Sequence, residues 1–140
     1  MLPSITRLFC DRRGATAVEF AFMAPILLVL MFGIVGFGAV MSVDNGLQQL
    51  VAEAARASVA GLSDAERIQL AQASVAANVA AYPFIDARKL TLSTGNPSPT
   101  SFGVTAQYDM SGLFAYRMFA FLPLPSPAVT RSAVVQRGGF

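Results

Sequence analysis

The sequence has no histidine and a single cysteine, Cys10. One thiol closes no intrachain disulfide, and without a Cys/His cluster there is no ligand set for zinc. Cys10 is left to be acylated or to sit buried near a membrane face. A P-loop and a dinucleotide fingerprint are also missing. The acids beyond the first third of the chain, Asp44, Glu53, Asp64, Glu66, Asp86 and Asp109, stand at separate, surface-like positions. An enzyme needs a nucleophile with its base, a metal, or paired carboxylates in a cleft, so the sequence offers no catalytic residue, no metal site and no cofactor. Charge is scarce as well, 13% of residues against 54% hydrophobic, with a net charge of +2. Its arginines and lysines are scattered rather than gathered into a stripe, which sets nucleic acid aside. Such a composition lies toward the membrane class. A length of 140 residues leaves room for one small folded domain beside a membrane segment.

What is present begins with a long apolar run. From Ala15 to Val43 the chain reads ATAVEFAFMAPILLVLMFGIVGFGAVMSV, with Glu19 its only ionisable side chain. As a helix it rises about 43 Å, enough to cross a hydrocarbon core of about 30 Å. A secretory signal has an apolar core of only about 7 to 15 residues followed by a small-residue cleavage site, so the run reads as a spanning helix. Arg7, Arg12 and Arg13 precede it against one acid, Asp11, while Asp44 and uncharged amides follow. The positive-inside rule therefore predicts a cytoplasmic N-terminus and an exported remainder; a twin-arginine export signal fits the surroundings no better. Pro25 removes one helix hydrogen bond and predicts a bend. Gly33, Gly36 and Gly38 form a smooth patch where another helix can approach.

Glu19 needs a reason. An intramembrane acid is expensive and reads as functional by default, although so near the helix end it can also snorkel to the headgroups and mean nothing. Its context is RRGATAVEF: two arginines, then Gly14, with Glu19 the fifth and Phe20 the sixth residue after the glycine. This resembles the processing site of type IV pilin-like proteins, in which a membrane-embedded prepilin peptidase cuts after the glycine. Carried onto this chain, the resemblance implies a cut between Gly14 and Ala15, and a mature helix beginning at Ala15. Its new α-amine, with an unperturbed pKa of about 7.7 to 8.0, would stand at the positive end of the helix dipole. A carboxylate four residues on, about 6 Å along the axis, compensates it; in the family the glutamate is thought to meet the amine of a neighbouring subunit.

Together with the later LQQLVAEAARA segment, this opening and its long apolar helix resemble the TadE-like family, minor pseudopilins of the tight-adherence (Tad, or Flp, type IVc) pilus. The likeness covers about the first 60 residues. It implies a processed, single-pass inner-membrane subunit that supports assembly of an adhesive pilus, resides in the assembly machine or enters the pilus, and has the peptidase, other pilins and the assembly platform as partners. The alternative is an uncleaved single-span protein whose exported part binds a periplasmic partner or surface ligand.

The expected fold is α+β, with a leader at 1–14, a membrane helix at 15–43, a helical stalk at 44–61 and a pilin-like head at 62–140. Leu47, Leu50, Val51, Ala54 and Ser58 recur at helical spacing, with Gln48, Gln49, Glu53 and Arg56 facing elsewhere. Gly46 weakens the stalk by about 1 kcal/mol and predicts a bend at the membrane exit. Ser63 and Glu66 read as a capping box opening a second helix from Asp64 to about Ala81, stopped before Pro83. Strands are expected around Leu90 and Leu92, over Phe102 to Asp109, and over Ala128 to Gln136, with TGNPSPTS as a hairpin connection. A three-stranded antiparallel sheet laid on the stalk would close a small core. The stretch SGLFAYRMFAFLPLPSP carries Leu113, Phe114, Tyr116, Phe119, Phe121, Leu122 and Leu124 where a polar loop is usual. Either it folds back as core or a short helix, which a small head favours, or it is a surface for partner subunits or the bilayer.

Overall fold

The computed structural model describes residues 12–118, 120 and 123–137. Cys10, Arg7, Phe119, Phe121 and Leu122 lie outside the described residues, and so do the side chains of Arg12 and Arg13. Two compact units divide the chain, Met1–Val35 and Gly36–Phe140. Helix α1 runs from Arg12 to Ser58 and includes Pro25 without interruption. Helix α2 follows at Asp64–Asn78, then strands β1 (Leu90–Gly95) and β2 (Ser101–Asp109), the short helix α3 (Phe114–Met118) and strand β3 (Ala128–Gln136). The sheet is antiparallel in the order β1-β2-β3, and the fold is α+β as expected.

In the first unit α1 is exposed along its length, with large apolar side chains such as Phe22, Ile26, Leu30 and Ile34 on the outside. In the second unit the same helix changes character. Val40, Val43, Leu47, Leu50, Val51, Ala54 and Ala55 are buried in one core with Ala71 and Val75 of α2 and with Phe102, Val104, Ala106 and Tyr108 of β2. These positions follow the 3.6-residue period and leave Gln48, Gln49 and Arg56 outside. Compact packing therefore begins at Gly36, inside the apolar run, and its last turns belong to the core of this unit.

The sheet has one apolar face. Leu90 and Leu92 of β1 pair with Tyr108 and Ala106, and Val129, Ala133 and Val135 of β3 pair with Tyr108, Val104 and Phe102, so all share the inner side of the pleat. Arg131 occupies the same face, opposite Ala106. Its guanidinium meets Asp44 of α1, with Nη2 2.7 Å from Oδ2 and both side chains partly covered. A one-residue slip of β3 would turn every inner residue outward, and it would also strand this arginine away from its acid.

Strand and helix lengths agree with this placement. At the far end Asp64, just past the end of α1, accepts from Asn96 Nδ2 in the β1–β2 hairpin at 2.9 Å. It also meets Arg67 at 3.3 Å and Arg137, one residue past β3, at 3.1 Å. From Asp44 to Ser58 the helix rises about 21 Å, and from Arg131 to Arg137 the strand advances about 20 Å. Two ionic contacts thus tie β3 to the helices, Arg131 near the middle of the strand to Asp44 of α1 and Arg137 just past its end to Asp64 at the start of α2.

Two local expectations change in detail. Ser63 does cap α2, its Oγ accepting from the Glu66 amide at 3.2 Å, but the Glu66 carboxylate reaches back to the Leu62 amide at 2.9 Å rather than to that of Ser63. The helical coil then tightens into a 3-10 turn at Val79–Ala81 before Pro83. Gly46 is buried within unbroken helix, and a Cβ built on it would stand 2.8 Å from the Tyr82 ring and 3.4 Å from Ile85. The glycine makes room for the segment that follows α2, rather than for a bend. Of the apolar stretch after β2, the described residues fold back in part as core: Ala115 is buried, and Leu113, Tyr116 and Leu124 pack against the core. Phe114 and Met118 stay exposed.

Replacing Gly46 with valine should destabilise the folded protein by about 1–3 kcal/mol through overpacking against Tyr82. Gly46→Val/Tyr82→Ala should recover part of the loss in detergent-solubilised melting experiments; an unchanged melting temperature for Gly46→Val alone would contradict the contact. A second expectation concerns Asp64, whose carboxyl is held below the usual range first by the Asn96 hydrogen bond, against the opposing effect of desolvation, with Arg137 and Arg67 adding to the lowering. Because the folded value is depressed, its stabilisation is complete above the ordinary pKa of 3.8 and is lost as pH falls through the lowered folded value. Asp64→Asn should therefore melt below the parent protein at neutral pH, and the gap should close in strongly acidic buffer.

Candidate functional site

The residues picked out by sequence around the start of the apolar run fall in the first turns of α1. Gly14, Ala15, Glu19 and Phe20 are all exposed there. Ala15 and Glu19 are one i,i+4 pair, so they share a face about 6 Å apart along the axis. Glycine inside a helix is about 1 kcal/mol less favourable than alanine. Close packing usually explains such a residue, yet a Cβ built on Gly14 meets no atom within 4 Å. Internal packing among the described residues therefore gives no reason for this glycine, in contrast to Gly46 and to Gly61, whose Cβ would fall 2.8 Å from the Arg67 backbone nitrogen.

Glu19 sits among mostly apolar neighbours: Val18 and Phe20 flank it, and Phe22 and Met23 follow, all exposed. The stretch satisfies the length and hydropathy of a membrane span, with a mean hydropathy of 2.6. From Gly14 to Val35 the helix rises about 32 Å, close to the thickness of a hydrocarbon core. A helix satisfies all of its backbone groups internally, which is the condition for crossing lipid. Glu19 is the one acid of that section, placed one turn from the end at which the basic residues cluster.

Among the described residues no three Cys, Asp or Glu side chains come together as a metal-binding group. The clefts of the second unit are open and shallow. The one beside Val40, Met41 and Asp44, of about 290 Å³, is walled by Met110, Pro125, Ala128 and Arg131 and is mainly apolar. The Asp44–Arg131 pair on its rim joins residues 87 apart in sequence. Sequence reasoning missed it, though one signal was available: arginine in the otherwise apolar alternation Val129, Arg131, Ala133, Val135.

No curated protein and no solved structure matches the chain. A family model does, over residues 14–56, under the description TadE-like protein. The matched segment opens on Gly14, contains Glu19 and Phe20, and ends two residues before the end of α1. With the glycine, the acid and the apolar helix already in view, residues 14–56 are similar to the TadE-like family, the family that the sequence resembles.

Proposed function

We propose that the protein is a minor pseudopilin of a Tad pilus, cut by a prepilin peptidase between Gly14 and Ala15 and needed for pilus assembly. The observation that carries this reading is the family match beginning on Gly14, with an acid five residues further on in a helix otherwise suited to lipid. A glycine in open space is what a peptidase can approach, and nothing in the described fold asks for it. Arg7, Arg12 and Arg13 hold the leader in the cytoplasm. The span anchors the protein in the bacterial inner membrane, and the unit from Gly36 onward stands on the periplasmic side.

Cleavage releases a positively charged amine on Ala15. In lipid that charge needs a counter-ion, and Glu19 supplies one either on its own helix or to an incoming subunit. Phe20 and the apolar side chains around it exclude water from the pair, which strengthens it. Partners are then the peptidase, other pilins and pseudopilins, the assembly platform and lipid; no cofactor is required. An uncleaved, membrane-anchored binding protein is the competing reading, and it makes Gly14 and Glu19 dispensable.

Mass analysis of the protein from cells that possess the peptidase should find Ala15 at the N-terminus, and Gly14→Leu should leave the full-length precursor. Met1 or the leader retained on the unmodified protein would sink the pseudopilin reading. Glu19→Gln should insert at least as well as the parent, because it removes a charge that is expensive in lipid, and should still be cut. It should fail in assembly, since charge-assisted hydrogen bonds are about twice as strong as neutral ones. Pilus yield and crosslinking to other pilins in a strain carrying only this variant report the effect, and normal values for both would reduce Glu19 to a snorkelling bystander.

A further inference from the structure

The three-stranded sheet has two outer strands, and their edges are built differently. β3 carries Arg131 on its inner face, held by Asp44, and the Arg131 Nη1 also donates to the Thr130 carbonyl at 3.0 Å. An inward-pointing charge guards an edge, because a strand added there would have to bury it further. β1 has no such guard. Its six residues include no charge and no proline, and their pairing with β2 runs without a bulge. Leu90, Leu92 and Thr94 lie half-buried on the inner face, while Thr91, Ser93 and Gly95 are exposed on the outer one. The Leu90 amide donates to the Ala87 carbonyl. The Ser93 hydroxyl leans away from the edge, donating to the Thr105 carbonyl of β2 at 3.5 Å. Among the described residues, no other group outside the ladder with β2 bonds to the β1 backbone. Alternate N–H and C=O groups along β1 are therefore turned outward as a template for a further strand.

The strand that fits this template is β1 of a second copy, antiparallel about a two-fold axis at Leu92. Side chains alternate with a period of two, so an added strand keeps the inner face continuous only where inner residues meet inner residues. A pair centred on Leu92 sets Leu92 opposite Leu92, Leu90 opposite Thr94 and Thr91 opposite Ser93. The half-buried leucines gain cover from it, and on the outer face hydroxyl meets hydroxyl, a cross-strand pairing that stabilises sheets. The nearest charges, Arg88 and Lys89, fall opposite Asn96 and Gly95, so no like charges stand face to face. Pairing β1 with β3 of the next copy would instead set the strand against Arg131 and repeat head to tail without closing. The two-fold pair closes on itself and leaves both guarded β3 edges outside.

We propose that β1 is a self-association edge through which two copies of this chain join their sheets into one of six strands. About four backbone hydrogen bonds and a leucine contact close it. A stable dimer interface engages about 20–30 residues a side, so this pair is weak and forms where copies are held close together. Every residue it uses belongs to the second unit, and it depends neither on a cut at Gly14 nor on what surrounds the apolar part of α1.

The test uses the uncut full chain with Cys10→Ser, in detergent at high protein concentration. Residues that face each other across the pair have Cα atoms about 4.5–5.5 Å apart, within disulfide range, whereas Thr91 stands about 8 Å from Thr91 of the other copy, and Ser93 likewise from Ser93. Mild oxidation of a mixture of Thr91→Cys and Ser93→Cys copies, told apart by different tags, should give the mixed disulfide about five-fold in excess over either homodisulfide. Thr130→Cys and Ser132→Cys copies, labelled on the outer face of β3, should give background only. Thr91→Lys/Ser93→Lys sets like charges opposite each other at exposed positions and should lower the association constant, measured by sedimentation, about five-fold. Thr91→Lys/Ser93→Glu sets opposite charges against each other and should restore it. Homodisulfides equal to or above the mixed product, or an association constant that ignores both charge variants, overturn the pair and place any association elsewhere on the chain. A Thr91→Cys chain that links in cells to a different protein, and never to a Ser93→Cys copy, assigns the edge to that partner and overturns the proposal as well.

Discussion

A single helix carries two patterns of exposure. One is compatible with hydrocarbon, in which a backbone has to satisfy every polar group internally and side chains are apolar on all sides. The other, one apolar stripe and one wet face, is that of a helix packed on a core in water. In α1 both patterns occur in one element, all-round exposure of large apolar residues up to Val35 and a one-sided buried stripe from Ala39 to Ser58. The stripe supplies the inner wall of the core, and the sheet, α2 and the segment around α3 exist as covers for it. A small domain has few apolar residues to spend on a core, so drawing on the end of the apolar run, through Ala39, Val40 and Val43, is economical in chain length.

Covering the stripe requires the sheet to lie in one register and at one height. Apolar packing alone sets height weakly, because an apolar face can slide along another with modest loss. The Asp44–Arg131 pair and the Asp64–Arg137–Asn96 contacts supply the missing discrimination, one near the middle of β3 and one just past its end. Partly exposed pairs contribute little to overall stability. Their value lies in what misregistration would do: a partly buried arginine on the inner face of an edge strand would lose its acid. An inward-pointing charge also discourages an edge strand from pairing with foreign strands.

Much was legible in sequence because it depends on local periodicity. All-round hydropathy over Ala15 to Val43, the helical recurrence from Leu47 to Ser58, the Ser63 cap and the alternation in all three strands each follow from which side chains a single element presents to its surroundings. The motif around Gly14 and Glu19 stands out for the opposite reason: a glycine in a helix and an acid in an apolar run both conflict with the element that carries them, and that conflict is what the proposed processing and pairing would explain.

What sequence alone determined is therefore the long helix and its change from all-round to one-sided apolarity, the class of the fold and the segment whose likeness to the TadE-like family the family match repeats. The tertiary structure decided the meaning of residues whose reasons lie far along the chain. Gly46 is small because the Tyr82 ring stands over it, Arg131 is tolerated on an apolar face because Asp44 waits on the helix, and the segment from Leu113 to Met118 divides into core and surface by where Ala115 and Met118 come to rest. None of these follows from periodicity, which reports which way a side chain faces and not what it meets. Contacts between residues dozens of positions apart depend on how the elements are stacked, and that is settled only when the whole core closes.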